Sequence, residues 1–208
     1  MNLAVYGAGG LGREVMLLIE QINMRKPTWD IAGYFDDGKK TGETVGRWKV
    51  LGGKQEIGQA GEIAIVIAIA DPIIRKEIAT AIATPSISFP VVIHPACQTG
   101  DSDNRFGKGT ILTAGVVLTT GIQLEDFVII NLNTTVGHDV TIGSYSAVMP
   151  GCNISGNVKI GEGTLIGTGA KILQNLTIGK NCRVGAGAVV THDFPDGRTI
   201  VGVPAHDK

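Results

Sequence analysis

A six-residue period runs through the second half of the chain. Reading every sixth residue from Phe106 to Val190 gives fifteen large apolar residues in succession. They are Phe106, Leu112, Leu118, Leu124, Ile130, Val136, Ile142, Val148, Ile154, Ile160, Ile166, Ile172, Ile178, Val184 and Val190. This period fits neither an α-helix, which repeats every 3.6 residues, nor an isolated β-strand, which repeats every two. It indicates short structural units that stack on one another.

Each unit also has a turn position. Three residues after each of the first fourteen apolar positions stands Gly, Asn or Asp in twelve cases, and the exceptions are Phe127 and Tyr145. Gly, Asn and Asp are the residues that best tolerate positive φ. A hexad with one inward aliphatic side chain and one left-handed corner describes one side of a parallel β-helix. Three such sides close a coil of 18 residues, so we predict stacked coils around an aliphatic interior.

The first ninety residues instead alternate strand-like and helix-like segments. Residues 63–70, IAIVIAIA, are continuously apolar, as in a strand that is buried on both faces of a parallel sheet. Asp71 and Pro72 then have the residue types that begin a helix. We therefore predict a Rossmann-like α/β domain at residues 1–92, followed by a β-helix domain at residues 93–208.

Composition excludes several classes of partner. A net charge of -1 gives no electrostatic reason to expect nucleic acid or an anionic membrane. The longest apolar run, residues 63–70, is too short to span a bilayer. Cys97, Cys152 and Cys182 show no CxxC spacing, which argues against a zinc ribbon and a disulfide framework. We expect a cytoplasmic protein that holds no metal.

A glycine-rich segment, GAGGLG, covers Gly7–Gly12 between a predicted strand and a predicted helix. Together with Asp36 further along the chain, this segment matches a dinucleotide-binding fingerprint. A full dinucleotide fold needs a second nucleotide-binding half, however, and the chain changes to hexads where that half would begin. NAD is therefore one alternative, and a tight turn that packs helix on sheet is another. The loop also suits a pyrophosphate or a sugar nucleotide.

The segments VYGAGGLGREV, YFDD, AIADPIIRKEI, NTTVGHDVTIG and VGVPA together resemble one family across nearly the whole chain. They are similar to the sugar acetyltransferases typified by sialic acid O-acetyltransferase and nucleotide-linked bacillosamine N-acetyltransferase. The resemblance implies a left-handed parallel β-helix, a homotrimer and acetyl-CoA as acetyl donor. It also implies a sugar or sugar-nucleotide acceptor, whose identity and acetylated atom, nitrogen or oxygen, stay open.

The resemblance also implies site residues. His138 corresponds to the catalytic base, Asp139 to the acidic residue that polarises it, and Gly156 to the amide that stabilises the oxyanion. The coenzyme contacts are Ala147, Gly167, Thr168, Gly185 and Ala186. The candidate acceptor contacts are Gly9, Gly10, Leu11, Asp36, Asp37 and Asn131.

The 18-residue coil gives a physical basis for two of these groups. Gly156 falls directly above His138, which predicts an open notch with a bare N–H where a thioester carbonyl can sit. Thr168 stacks on Ala186, and the neighbouring glycines stack likewise, so a strip almost without side chains is predicted for the pantetheine arm. Close packing of coils or subunits is the alternative explanation of that strip.

Two other functions are compatible with the fold. One is a non-catalytic trimeric module whose N-terminal loop senses a nucleotide. The other is a γ-type carbonic anhydrase, which needs several histidines that converge on zinc; only His138 lies centrally in the repeats. His94 and His192 are interpreted as structural. His206 follows VGVPA, where the family commonly has a basic residue that can contact the coenzyme's phosphates.

Overall fold

The computed structural model describes residues 1–100 and 102–208. It divides into two compact units, Met1–Pro95 and Ala96–Lys208. The boundary predicted after residue 92 lies three residues before this division. The activity assigned to each predicted domain stays a prediction.

The first unit is built on one twisted sheet with helices. Its strands are β1 (Asn2–Tyr6), β2 (Asp30–Phe35), β3 (Thr44–Val45), β4 (Trp48–Gly52), β5 (Ile63–Ile67), β6 (Ile87–Ser88) and β7 (Val92–Ile93), and its helices are α1 (Gly10–Arg25), α2 (Lys54–Ile57) and α3 (Pro72–Ile82). Six strands form a sheet in the order β3-β4-β2-β1-β5-β6. All neighbours are parallel except β3 and β4, which form an antiparallel pair.

The sequence accounts for the main elements of this unit. All five residues of the central strand β5 are buried, as its unbroken apolar run predicts. Helix α3 begins where expected, because the Asp71 carboxylate accepts hydrogen bonds from the backbone N–H groups of Ile73 and Ile74. The parallel strands β1, β2 and β5 end at the same edge, and the connections that follow them form that edge of the unit.

The second unit is a parallel β-helix with strands of two residues. They are β8 (Arg105–Phe106), β9 (Ile111–Leu112), β10 (Val117–Leu118), β11 (Gln123–Leu124), β12 (Ile129–Ile130), β13 (Thr135–Val136), β14 (Thr141–Ile142), β15 (Ala147–Val148), β16 (Asn153–Ile154), β17 (Lys159–Ile160), β18 (Leu165–Ile166), β19 (Lys171–Ile172), β20 (Thr177–Ile178), β21 (Arg183–Val184) and β22 (Val189–Val190), and the longer β23 (Thr199–Gly202) and β24 (Ala205–Asp207) follow. The β-helix that follows the α/β unit confirms the predicted fold class.

Three sheets line the sides of this β-helix. One contains β10, β13, β16, β19 and β22, the second contains β8, β11, β14, β17 and β20, and the third contains β9, β12, β15, β18, β21, β23 and β24. Strand partners are 18 residues apart, as in the pairs Val117↔Thr135 and Thr135↔Asn153. The register therefore equals the predicted coil length.

The hexad positions have the predicted environments. Of the fifteen periodic apolar residues, Phe106 is half-buried and the other fourteen are buried. All fourteen corner residues have positive φ, including the exceptions Phe127 (58°) and Tyr145 (61°). The rings of these two stack with centroids 5.1 Å apart. This contact offsets part of the strain that a left-handed conformation imposes on a bulky residue.

Candidate functional site

His138 lies at the corner that follows strand β13. Its side chain is 63 % exposed, and its Nδ1 lies 2.8 Å from Oδ2 of Asp139. Asp139 occupies the left-handed corner position with φ 58°, and its N–H donates to the carbonyl of Thr120 in the preceding coil. Because an ionised carboxylate only accepts hydrogen bonds, Nδ1 is the donor in this contact. In the neutral form of such an imidazole, Nε2 keeps its lone pair and can accept a proton.

The predicted open notch at Gly156 is wrong in one respect, because the imidazole itself fills it. A Cβ atom on Gly156 would lie 2.3 Å from Nε2 and 2.6 Å from Cε1 of His138. The imidazole of His138 reaches the adjacent coil, so the missing side chain at position 156 makes room for the ring. Glycine at position 156 therefore allows the observed position of the histidine.

The backbone N–H of Gly156 has no acceptor among the described residues. The N–H of the residue two places after an inward aliphatic residue does not take part in the coil-to-coil ladder, and carboxylates cap two such amides in other coils. Glu125 accepts from the N–H of Ser144 at 2.9 Å, and Asp196 accepts from that of Lys180 at 2.8 Å. In the described part of the chain, no group caps the N–H of Gly156 in this way. This amide is available to a ligand beside Nε2 of His138.

The predicted coenzyme strip is partly at the surface. Thr168 and Ala186 are exposed, and Gly167 and Gly185 are half-buried. A Cβ atom on Gly167 would lie 2.6 Å from the backbone nitrogen of Ala186, so coil packing alone already requires this glycine. Across residues 1–100 and 102–208, no acceptor pairs with the N–H groups of Thr168 and Ala186.

Two predicted contacts are engaged inside the chain. The side chain of Ala147, which is expected to contact the coenzyme, is fully buried, and this assignment stays a prediction. Asn131 is 5 % exposed, and its Oδ1 accepts hydrogen bonds from the N–H of Leu132 at 2.8 Å and the hydroxyl of Thr113 at 3.4 Å. The side-chain amide oxygen of Asn131 therefore stabilises the corner.

The glycines of the N-terminal loop fall into two groups. Gly7 has φ +100°, and a Cβ atom on Gly12 would lie 1.8 Å from the carbonyl oxygen of Gly7, so both are required by the turn. At Gly9 and Gly10 an added Cβ would meet nothing within 4 Å. These two begin helix α1 with no side-chain cap, beside a cleft of about 390 Å³. Half-buried Leu11 follows in the first turn. The loop thus combines a structural turn with free backbone N–H groups.

Asp36 and Asp37 lie at the same edge with different partners. Asp36 accepts hydrogen bonds from the backbone N–H groups of Ala8 at 2.7 Å and Gly38 at 2.8 Å, which fixes the loop. Asp37 accepts from the backbone of Lys54 at 2.7 Å and pairs with its Nζ at 3.0 Å. Burial raises the pKa of Asp37, but these bonds outweigh it and lower the pKa overall.

Lys54 was missed by sequence reasoning because no periodic relation connects it to Asp37. It lines a cleft of about 450 Å³ together with both aspartates. The buried Tyr6 lies next to Asp37, and its hydroxyl makes no hydrogen bond of regular geometry with the described residues. Burial, and then the nearby Asp37, raise the pKa of Tyr6.

The remaining features concern metals and membranes. Within residues 1–100 and 102–208, no three His, Cys, Asp or Glu side chains are grouped as metal ligands. No helix in the same residues has the length and apolar character needed to cross a bilayer.

Nε2 of His94 lies 2.8 Å from Oε1 of Gln21. Burial, and then the nearby Arg25, lower the pKa of His94.

Two family descriptions match parts of the chain. The PglD N-terminal domain matches residues 2–82, and the bacterial transferase hexapeptide (six repeats) matches residues 157–192. GDP-perosamine N-acetyltransferase of Escherichia coli O157:H7 is 31% identical over 159 residues, which are 75% of this chain and 71% of that protein.

Solved structures agree with this match over the whole chain. The acetyltransferase domain of PglB from Neisseria gonorrhoeae FA1090, in complex with acetyl coenzyme A, has a TM-score of 0.90 and 33% identity, covering 100% of this chain and 98% of that one. A histidine-to-asparagine variant of perosamine N-acetyltransferase from Caulobacter crescentus, in complex with CoA and GDP-perosamine, has a TM-score of 0.92 and 26% identity, covering 100% and 97%. The chain belongs to the family of hexapeptide-repeat acyltransferases that includes GDP-perosamine N-acetyltransferase.

Proposed function

We propose that this protein transfers an acetyl group from acetyl-CoA to the amino group of a nucleotide-linked sugar. The observation that carries the proposal is the arrangement at Gly156, where an uncapped N–H lies beside Nε2 of an imidazole that Asp139 orients. A base next to an oxyanion donor is what acyl transfer requires. The relatives that bind CoA and GDP-perosamine, and their naming as N-acetyltransferases, support nitrogen rather than oxygen as the acetylated atom.

In the proposed reaction, the acceptor's amine attacks the thioester carbonyl and Nε2 of His138 takes the amine's proton. Asp139 stabilises the imidazolium that forms, and the N–H of Gly156 donates to the oxygen that becomes negative. When the tetrahedral intermediate collapses, the carbon–sulfur bond breaks. The imidazolium then returns its proton to the sulfur, which releases coenzyme A as a thiol and restores the neutral histidine.

The coenzyme is proposed to lie on the strip formed by Gly167, Thr168, Gly185 and Ala186. The uncapped N–H groups of Thr168 and Ala186 match the carbonyl groups of a pantetheine arm. We further propose a homotrimer in which this strip faces the histidine corner of a neighbouring subunit. Exposed apolar side chains at Leu132 and Leu173 support an oligomer.

The glycine-rich loop is proposed to hold the nucleotide part of the acceptor. Free N–H groups at the start of a 16-residue helix attract an anion such as a diphosphate. The open space at Gly9 and Gly10 leaves the backbone accessible to such a group. Asp37 and Lys54 are proposed as polar contacts at the same edge.

An acetylation assay tests the proposed function. The protein is incubated with acetyl-CoA and a panel of nucleotide-linked amino sugars, with sialic acid as an oxygen acceptor, and products are identified by mass. We expect acetyl transfer to at least one nucleotide-linked amino sugar. Coenzyme binding without transfer to any member would contradict this proposal and favour the nucleotide-sensing module, and acetylated sialic acid would show that oxygen is the accepting atom.

Ala186→Trp is expected to weaken coenzyme A binding at least tenfold. The side chain at 186 is exposed, so the indole covers the strip without entering the core. Calorimetric titration with coenzyme A measures the change, and Lys159→Trp, at an exposed position on another side of the β-helix, is the matched control. Equal affinity in a folded Ala186→Trp protein would place the coenzyme elsewhere.

The protein is expected to sediment as a trimer at micromolar concentration. A three-fold axis parallel to the coils repeats one heterologous interface three times and closes the assembly. Sedimentation equilibrium gives the mass directly, and a chain of 21.7 kDa makes a monomer easy to distinguish. A stable monomer with full acetyltransferase activity would exclude a site that two subunits share.

A further inference from the structure

Arg75 is buried in the first unit although it carries a charge. It is 1 % exposed and stands at the fourth position of α3. With Ile78, Ala79 and Ile82 it forms the buried stripe of this helix, at the spacing i, i+3, i+4 and i+7. An apolar residue would complete this stripe at no electrostatic cost, whereas a buried guanidinium needs hydrogen-bond partners to offset the loss of its hydration. Packing of the helix therefore does not account for an arginine at this position.

The guanidinium of Arg75 fixes the connection between β5 and α3, residues 68–71. Its Nη1 donates to the carbonyl oxygen of Ile69 and to that of Ala70, the latter at 2.9 Å. The last residue of the connection, Asp71, is fixed separately as the N-cap of α3. Hydrogen bonds thus hold consecutive peptide groups of this short segment in one conformation.

The connection packs against the glycine-rich loop. The N–H of Ala68 donates to the carbonyl of Tyr6 at 2.8 Å. A Cβ atom on Gly7 would lie 2.8 Å from Cδ1 of Ile69 and 3.0 Å from the carbonyl oxygen of Ala68. Because no side chain fits between the two segments, a shift of residues 68–71 is passed on to the start of the glycine-rich loop.

These two segments flank the point where the strand order of the sheet reverses. In the order β2-β1-β5-β6, the chain passes from β1 to β2 on one side and from β5 to β6 on the other. Ligands of open α/β sheets bind in the crevice at the carboxyl ends of the two strands where this reversal occurs. The glycine-rich loop forms one wall of that crevice, and the connection that Arg75 holds forms the other.

We propose that Arg75 is a positioning residue for the acceptor. Acting through residues 68–71, it holds the glycine-rich loop in the conformation that receives the nucleotide part. A loop that is already ordered binds more tightly, because no ordering entropy is lost on binding. The inference rests on the proposed function, because it takes the nucleotide site at Gly9 and Gly10 from there.

Calorimetric titration with GDP and with UDP tests the assignment, and we expect the protein to bind at least one of them. Arg75→Met, which keeps an apolar stem, is expected to weaken this binding about tenfold, and Arg75→Lys, which keeps the charge but loses the planar fork, about threefold. Coenzyme A affinity is expected to be the same in all three proteins. With an acetylated acceptor in hand, its KM rises by the same factors while kcat is unchanged.

Ile82→Ala is the matched control. It removes apolar contacts from the same buried stripe, at the end of α3 that is far from the connection. It is therefore expected to lower the melting temperature and to leave nucleotide affinity unchanged. Equal weakening of nucleotide binding by Ile82→Ala would show that lost stability alone explains the effect, and the assignment would fail.

Unchanged nucleotide affinity in folded Arg75→Met would overturn the assignment, as would a wild-type protein that binds neither GDP nor UDP. If Arg75→Met does not fold, the comparison is made with Arg75→Lys, and wild-type affinity in that variant would overturn it. The titration does not depend on acetyl transfer. If no sugar is acetylated but Arg75→Met still weakens nucleotide binding, the proposed function fails and the assignment of Arg75 stands.

Discussion

His138→Ala is expected to lower kcat by about 10²- to 10⁴-fold, the usual contribution of a positioned base. The side chain is 63 % exposed and contributes nothing to the aliphatic interior, so the melting temperature stays the same. Initial rates at saturating acetyl-CoA and acceptor, measured beside a melting curve, give both quantities. Coenzyme affinity is expected to be unchanged, because the strip at Thr168 and Ala186 is separate from this corner.

Asp139→Asn is the companion variant and is expected to lose less. It keeps the imidazole but replaces the carboxylate that accepts from Nδ1 and stabilises the imidazolium. Near-normal turnover in a folded His138→Ala protein would show that the acceptor's amine loses its proton without this histidine. It would also leave Asp139 with only its role at the left-handed corner.

Gly156→Ala is expected to lower kcat by about 10²-fold or more, although glycine has no side chain that could act in catalysis. The new methyl would lie 2.3 Å from Nε2 of His138, so the imidazole must move away from the N–H at 156. A displacement of about 1 Å in a catalytic group is enough for a loss of this size. Rates and melting curves are measured as for His138→Ala, and Gly58→Ala, where an added Cβ meets nothing within 4 Å, is the control.

A double variant separates displacement of the base from other effects of the methyl group. If Gly156→Ala acts through His138, then His138→Ala with Gly156→Ala is expected to be about as slow as the slower single variant. Multiplied losses would show that the methyl group acts independently, for example by covering the oxyanion donor. Full activity in Gly156→Ala would contradict the observed proximity of ring and glycine.

The β-helix was predictable because each place in the hexad maps onto one environment. An aliphatic residue at every sixth position has a single interior to occupy, and a corner residue has a single backbone conformation to adopt. The constraint is strong enough to hold even Phe127 and Tyr145 at positive φ, where their types alone argue against it. The stacking of Gly156 over His138 was predictable from the same 18-residue coil length.

The contacts of the site were less predictable for the opposite reason. The period places Gly156 next to His138, but it does not determine the direction in which the imidazole points. It therefore could not predict that the ring occupies the space beside Gly156. In the α/β unit, the pairing of Asp37 with Lys54 joins residues that no repeat relates. The two-residue strand β3 and the single turn α2 carry too few residues to produce a periodic signal.

The antiparallel hairpin of β23 and β24 determines where the stack of coils stops. A β-helix presents unpaired backbone groups at its last coil, and such an edge invites another chain to continue the ladder, as in fibrils. Here β24 returns along β23 instead of passing into a further coil. Exposed Asp207 puts a charge on this edge strand, and a charged edge opposes the addition of further strands. A variant without this hairpin is therefore open to end-to-end polymerisation through the edge of its last coil.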